Sequence, residues 1–600
     1  VQLAAFVGAH LLAFALLAVT AWVAGRLVLR KWIEGEPALS VALGLSLLAH
    51  AAFALAAAGW LTQSALIVLI AAVHGLGLLQ VWPAWRQALG AWRWKAVLGL
   101  TAGLAPLFVL ALYPPTGFDE TLYHLPIARA FAETGSLPFL PALRVPVFPP
   151  LNELLSAALL LLAGDVSTHL VQLLAALATA ALLIDWGRRS FSPIAGWLAA
   201  AAFLGNPIVV YLSGTAYVEP LLILFITAAV YGLERWRDSR ETVWLVLAAL
   251  FAGSAAGVKY LGLFFVGAVF LAALPAAVRE RRWRDLALAA VAVLAVLAPT
   301  YGRILAWTGN PLFPFYPQIF GSGLWDPQPA PSRPLTTRLV EYLRIPWAVL
   351  FDRRSVGWQP PYSPAYLLAS PLLVYAFFRD ARVRRLLAMA LAYSLLFPIL
   401  PPDSRYLAVV LPLFSLALGA VLALLAAPAS WRLRWLRAVA VLLFLPGWLY
   451  ALYGLHREGP LPATPGEREA YLRRELPLYA AVEFLDGLPG SGYVAYGIHA
   501  ENMIYHADDG TLLGDWSGPA GYRRVLPALQ DPEALHRRLR GLGVRYLLLP
   551  RDRIPSLPAE PAWRRRFHRI YADGNAEIYE LSPFRYPPAL NGEPGEIPAI

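Results

Sequence analysis

The run Gly117-Phe-Asp-Glu-Thr-Leu-Tyr-His-Leu-Pro-Ile-Ala-Arg-Ala-Phe holds the densest chemistry in the chain. Two adjacent carboxylates, Asp119 and Glu120, follow an apolar block. Residues 120–134 then place Leu122, Ile127, Ala130 and Phe131 at the spacing of a helix lying in a membrane interface. On such a helix Asp119 and Tyr123 share a face, as do Glu120 and His124. The acids stand at its N-terminus, where the helix dipole favours the ionised form. An ionised carboxylate is what removal of a proton from a hydroxyl or amine requires. The plainer alternative makes Asp119 an N-cap and Glu120 a first-turn acid. His124 can share a proton with Asp119, bond a ligand or pack in the interface.

Other candidates lie far away in sequence. Glu219 precedes Pro220, Lys259 sits in a tight turn, and Arg405 and Tyr406 open an apolar block. Lysine occurs only at Lys31, Lys95 and Lys259, so its use in that turn stands out. Arg144 shares a loop with Asp119, where a solvated arginine is the ordinary reading. His499, Glu501, His506, Asp508 and Asp509 gather late in the chain. One strand and a loop do not make ligands converge, so these read as polar side chains facing solvent.

The elements that must position these residues are membrane helices. The chain is 58% hydrophobic and 14% charged, against roughly 25% charged in soluble proteins. Its apolar residues form blocks about as long as the ~20 residues a helix needs to cross hydrocarbon. Backbone polar groups in lipid must be satisfied internally, which makes the blocks helices. The formal charge of +11 comes from arginine clusters between the blocks. That placement sets topology and argues against nucleic acid as a partner. Cysteine is absent, which excludes disulfides and thiolate metal sites.

Basic loops at 26–31, 86–95, 188–189, 235–240, 279–284, 379–385 and 432–437 mark the cytoplasmic side. The expectation is an all-α polytopic membrane domain over 1–455 with about fourteen transmembrane helices. The long outer loops are 114–165, with the acidic motif and interfacial helices, and 306–363. Residues 456–600 turn polar and proline-punctuated, with strand-like runs at Gly492–Tyr496, Val544–Leu549 and Ala576–Leu581. They are expected to form a small extracytoplasmic α/β domain, with helices starting at Pro477 and Pro532.

The runs GFDETLYHLPIARAFAETG and VFPPLNELLSAALLLLAGD resemble the first outer loop of GT-C superfamily membrane glycosyltransferases. Protein O-mannosyltransferases and lipid A aminoarabinose transferases are members. Asn206-Pro207 with Tyr217-Val218-Glu219-Pro220 resembles that family's second acidic loop, where Asp is more usual. Gly257-Val258-Lys259-Tyr260 resembles its Gly-x-x-x-Lys-Gly turn, and Ser404-Arg405-Tyr406 its Arg-Tyr span opening. The likeness covers roughly 95–430. One departure is Val147-Phe148-Pro149-Pro150, where several relatives carry a lysine before Pro-Pro-Leu.

The resemblance implies inverting transfer of a sugar from a polyprenyl-phosphate carrier to a lipid, protein or glycan acceptor. This takes place at the outer face of the plasma (inner) membrane, among membrane lipids. It implies Asp119 as general base, with Glu120, Tyr123 and His124 holding acceptor or donor. Arg405 and Lys259 face the leaving phosphate beside Tyr406, Arg144 reaches in where relatives use lysine, and Glu219 orients the acceptor. The superfamily has members with and without a metal, which leaves a divalent cation as an open alternative and no cofactor as a requirement. A transporter or flippase of lipid-linked sugars is the rival class, but no repeat and no mid-membrane acid supports it. An O-antigen-ligase-like enzyme would place a histidine in the later loop, and 306–363 has none.

Overall fold

The computed structural model describes residues 2–33, 35–90, 94–321, 334–425, 430–490, 492–514 and 525–583. The chain forms two compact units. The first comprises Val1–Pro141 and Val145–Glu475, and the second Ala142–Arg144 and Leu476–Ile600.

The first unit is a helical bundle. Among the described residues seven helices are long and apolar enough to cross a membrane. They are Gln2–Leu29, Pro37–Ala57, Asp165–Ser190, Gly262–Arg279, Trp283–Thr308, Ser404–Leu424 and Trp435–Glu458. The pair Pro193–Leu204 and Pro207–Ser213, bent by 71°, is long and apolar enough together to form either a broken span or a re-entrant loop. Shorter apolar helices include Thr101–Leu110, Leu151–Ala163 and Thr242–Val258. Several further apolar stretches form helices shorter or more broken than a full crossing. Residues 364–378, for instance, divide into Ala365–Leu368 and Ser370–Arg379.

The bend in this pair has a local cause. Gly205 packs so closely that a Cβ there would lie 1.8 Å from the Leu443 carbonyl oxygen. Pro207 then starts a new helix without needing an N–H partner. Between them, fully buried Asn206 accepts a hydrogen bond from the Ser363 N–H at 2.8 Å. This holds the break against the later loop.

The arginine-rich loops converge at one end of the bundle. Buried Glu36 accepts from Tyr231 at 2.9 Å and pairs with Arg189 at 3.3 Å. Glu234 pairs with Arg385 at 2.6 Å and Arg237 at 2.5 Å. Asp285 accepts from Trp236 Nε1 and Thr242 at 2.9 and 2.8 Å. Four of the basic loops, near 189, 237, 282 and 385, are thereby tied to helices through shared carboxylates. The loop at 86–95 lies outside the residues whose side chains are described, as does part of 432–437.

The bundle does not stop at 455. Its last long helix runs to Glu458, and helix Pro465–Glu475 stays with it. Arg468 pairs with Asp165 at 2.5 Å, Tyr471 donates to Glu458 at 2.7 Å, and Tyr113 donates to the Gly459 carbonyl at 2.5 Å. These polar ties make a charged helix part of the membrane unit.

The second unit is a five-stranded sheet. Its strands are β1 (Tyr493–Gly497), β2 (Gly510–Gly514), β3 (Tyr546–Pro550), β4 (Phe567–Ala572) and β5 (Ala576–Leu581), in the order β2-β1-β3-β5-β4. β1 pairs in parallel with β2 and β3, while β5 lies antiparallel to β3 and β4. Helix Pro532–Gly541 buries Leu535 and Leu539 in a core with Leu547, Trp563 and Phe567. Glu577 is buried on β5, between Arg551 at 2.8 Å and Arg569 at 2.9 Å.

Candidate active site

At the end of the bundle opposite the arginine loops, four charged residues from four separate segments meet. Asp119 precedes a turn of π-helix, Glu120–His124, closed by a bond from the Leu125 N–H to the Glu120 carbonyl. Such turns concentrate at functional sites. Glu219 begins helix Glu219–Ser239, with Pro220 next to it. Lys259 lies in the turn between Thr242–Val258 and Gly262–Arg279. Arg405 occupies the 3-10 turn Ser404–Val410, capped by Asp403, whose side chain accepts from the Arg405 N–H.

Arg405 is the hub. Its Nη2 lies 2.5 Å from Asp119 Oδ2, and its Nε lies 2.9 Å from Asp403 Oδ2 and 3.9 Å from Glu219 Oε1. The Asp403 approach is off-axis, so Nε is left without an aligned hydrogen bond. Lys259 Nζ donates to Glu219 Oε1 at 2.7 Å. The Arg405 guanidinium stands 5.0 Å from the Tyr217 ring and 5.4 Å from the Tyr406 ring, and Lys259 Nζ 4.7 Å from the latter. Cations over aromatic faces in a desolvated site add to the ion pairing. Tyr123 donates to Asp119 Oδ2 at 3.1 Å, as the shared helix face predicts.

Burial grades these groups. Glu219 is fully buried, whereas Asp119, Tyr123, Asp403 and Tyr406 are partly exposed and form the accessible rim. Burial alone would raise Asp119, but Arg405, then His124 and Lys259, outweigh it and hold the carboxyl below the usual aspartate value. Asp403 goes the other way: burial pushes it up despite Arg405. Two neighbouring acids with opposite tendencies are a common arrangement where protons move.

Glu120 does not join Asp119. Its Oε1 meets His169 Nε2 and accepts from the Ala216 N–H at 3.1 Å, and its Oε2 accepts from the Gly117 N–H at 2.9 Å. With both oxygens engaged and the side chain buried, it ties the first loop to two other segments. Glu120 and His124, read from the sequence as sharing a helix face, therefore have different partners. His124 instead bonds Glu153, at 2.6 Å. Arg144 groups with the second unit.

A divalent cation does not fit this donor set. Asp119 and Glu219 each have a cation within hydrogen-bond reach. Among the described residues no three His, Asp or Glu side chains converge on a point, those at 499–509 included.

Comparisons with known proteins bear on this geometry. The family model described as dolichyl-phosphate-mannose-protein mannosyltransferase matches residues 147–302. The fold resembles that of ArnT from Cupriavidus metallidurans bound to undecaprenyl phosphate, with TM-score 0.52 and 17% identity over 81% of this chain and 97% of that one. The apo state of the same protein gives TM-score 0.51 at 17% identity, with the same shares of both chains. The chain thus shares the fold of that protein, and residues 147–302 carry the match to the mannosyltransferase family model. An oligosaccharyltransferase from Archaeoglobus fulgidus is more distant, with TM-score 0.42 and 12% identity over 81% of this chain and 75% of that one. A second family model, described as SF2091/S2213, matches residues 467–580. No curated protein matches the sequence.

Several residues that shape this site have roles that a sequence reading does not reveal. Tyr217 puts its ring against Arg405, and its hydroxyl accepts from the Asp119 N–H at 3.4 Å. Asp403 carried one signal, a carboxylate two residues before a candidate arginine. Glu153 carried none beyond a place in the first turn of a helix.

Proposed function

We propose that this enzyme moves a sugar from a polyprenyl-phosphate carrier to an acceptor hydroxyl or amine, with inversion, at the extracytoplasmic face of the plasma membrane. One observation carries the reading: residues 119, 219, 259 and 405 form a single network in which one carboxylate, Asp119, faces the rim beside two cations. That network supplies the two things a one-step displacement needs. Asp119 takes the proton from the acceptor as its oxygen or nitrogen attacks the anomeric carbon. The bond from that carbon to the phosphate oxygen breaks, and the charge gathering on phosphate is met by Arg405 and Lys259. Direct attack opposite the leaving group inverts the centre.

The resting ion pairs give donor binding a second role. A phosphate on Arg405 competes with Asp119 for the same guanidinium, and so loosens the contact that holds the carboxyl low. Tyr123 keeps Asp119 oriented during the exchange. Glu219 stays buried and holds Lys259, and Glu120 fixes the loop; both position rather than react.

The carrier's tail has a place to lie. An apolar cavity of about 570 Å³ is walled by Leu407, Val410, Leu411, Phe414, Tyr362 and Ile345. Leu407 and Val410 belong to the same turn as Arg405, so a phosphate at Arg405 leaves its first isoprene units entering that cavity. The arginine loops gathered at the other end of the bundle support a cytoplasmic position for that end.

The test is Asp119→Asn in lipid nanodiscs supplied with a polyprenyl-phosphate sugar. Transfer should fall by roughly 10²–10⁴-fold, while polyprenyl phosphate still binds. Transfer at the normal rate removes Asp119 as base.

A further inference from the structure

The later outer loop carries a second positive centre that the displacement above does not use. Helix Leu335–Phe351 exposes an apolar stripe, with Leu339, Leu343, Trp347 and Phe351 spaced one turn apart. Charged Arg338, Glu341 and Arg344 fall between them in sequence. That is the make-up of a helix lying in a membrane interface. The chain then passes Asp352 and enters the short turn Arg353–Val356. Exposed Trp358 follows, a residue type that collects at headgroup depth.

This tip is shaped and held. Gly357 and Trp358 both take left-handed backbone, with φ of 82° and 61°. A bulky residue adopts that conformation only where its surroundings impose it. Arg353 donates from Nε and Nη2 to the carbonyls of Gln359 and Trp358, at 2.9 and 2.8 Å. The Arg354 guanidinium stands 5.3 Å from the Trp358 ring. Both arginines are exposed, and among the described residues neither forms an ion pair with a carboxylate. Asp352 beside them offsets one charge at most, so the tip stays positive.

Two contacts fix the tip against the active site. Gln359 Nε2 donates to Asp403 Oδ2 at 3.2 Å, and the Tyr362 hydroxyl donates to the Ser404 carbonyl at 2.6 Å. Asp403 in turn lies beside Arg405. Ile345, Val349 and Leu350 before the tip, and Tyr362 and Ser363 after it, wall the apolar cavity assigned above to the carrier's tail. Charge decides what such a tip can do there. In the resting network three carboxylates, Asp119, Glu219 and Asp403, surround two cations, Arg405 and Lys259. That network has no surplus positive charge with which to draw in an anion. Arg353 and Arg354 have it.

We propose that Arg353 and Arg354 form an entry subsite, which takes the phosphate of the polyprenyl-phosphate sugar from the outer leaflet and passes it to Arg405 and Lys259. The inference rests on the functional reading above. The chain slides into the cavity walled on both sides of the tip, and the phosphate meets the two exposed guanidiniums first. No bond forms or breaks at this station. The contact belongs to the encounter and not to the displacement, so it acts on kcat/KM and leaves kcat alone. It is made by exposed charges at the rim, so salt screens it.

The test is donor kinetics in nanodiscs of zwitterionic phosphatidylcholine over a series of salt concentrations. In wild type, kcat/KM for the donor should fall as salt rises. Arg353→Gln combined with Arg354→Gln should raise the donor KM about tenfold at low salt, keep kcat, and flatten the salt dependence until the two curves meet at high salt. Lysine at both positions keeps the charge and should restore the wild-type slope. Arg353 also braces the loop, so Arg354→Gln alone decides if the double variant does not fold: it must raise the donor KM about threefold. A donor KM or a salt slope equal to wild type overturns the proposal. A KM change confined to the acceptor overturns it too, by making the pair an acceptor contact. So does a melting temperature lowered in phosphatidylglycerol discs with the donor KM unmoved, which makes the pair an anchor for bulk headgroups. Unmoved donor kinetics together with an inactive Asp119→Asn reject the entry subsite alone, whereas a fully active Asp119→Asn rejects the functional reading beneath it.

Discussion

Replacing Arg405 with glutamine tests the site at its centre. The side chain serves three carboxylates at once, at 2.5 Å from Asp119, 2.9 Å from Asp403 and 3.9 Å from Glu219. Its removal leaves Lys259 as the single cation of the network. Breaking a buried pair by deleting one partner costs about 3–5 kcal/mol, because the surviving charge stays desolvated. Loss of one preorganised donor to a developing anion costs about 2.7–4 kcal/mol, or 10²–10³ in rate. The variant should therefore melt well below wild type and transfer sugar at least 10²-fold more slowly under single-turnover conditions. A pH series separates the two effects. In wild type, Asp119 titrates below its usual value of 3.8, so its contribution to stability is present above that value and is lost only as pH falls through the lowered one. Without Arg405 the dominant influence on Asp119 is burial, which raises it. The variant then gains stability relative to wild type as pH falls from neutral, and the gap between their melting temperatures narrows toward pH 5. A variant with transfer within about fivefold of wild type, or a gap that widens on acidification, would refute the hub role.

Three other outcomes follow from the same geometry. Lys259→Met strands fully buried Glu219 and should destabilise by about 3–5 kcal/mol; adding Glu219→Gln should restore much of the melting temperature but not the activity. Leu391 is an exposed wall residue of the apolar cavity. Leu391→Trp should raise KM for a long-chain donor about tenfold, equivalent to about 1.4 kcal/mol, with kcat nearly unchanged. In the sheet unit, burial would raise Glu577, but Tyr579 and Arg551 lead the contacts that hold it at about 2. Its stabilisation is present above 4.5 and lost as pH falls toward 2, so circular dichroism of the intact protein should show Glu577→Gln removing part of the acid-induced loss of strand signal.

The sequence was most legible where chemistry conflicts with surroundings. A scarce lysine in a tight turn and an arginine opening an apolar block stand out because lipid makes cations costly, and both lie in the network. Asp119 was ambiguous because a capping acid and a reactive acid look alike until a partner appears, and Arg405 lies far along the chain. Glu120 shows the limit more sharply. Its role depends on His169 and the Ala216 N–H, which no spacing reveals. Glu153 reads as an ordinary first-turn acid, and Arg144 as a neighbour of Asp119 although it groups with the other unit. Among strands, β1, β3 and β5 were visible as apolar runs. β2 is bracketed by glycines, and β4 alternates weakly because it is an edge with exposed His568 and Arg569.

The widened turn at 120–124 stores the orientation of the loop in its winding. An ordinary helix advances about 100° per residue, so losing one residue there would leave every side chain chemically intact and swing Asp119 away from Arg405. Loop length then matters to this site as much as residue identity. Alignments of distant relatives should be judged first by where they place a gap between the acidic pair and Pro126.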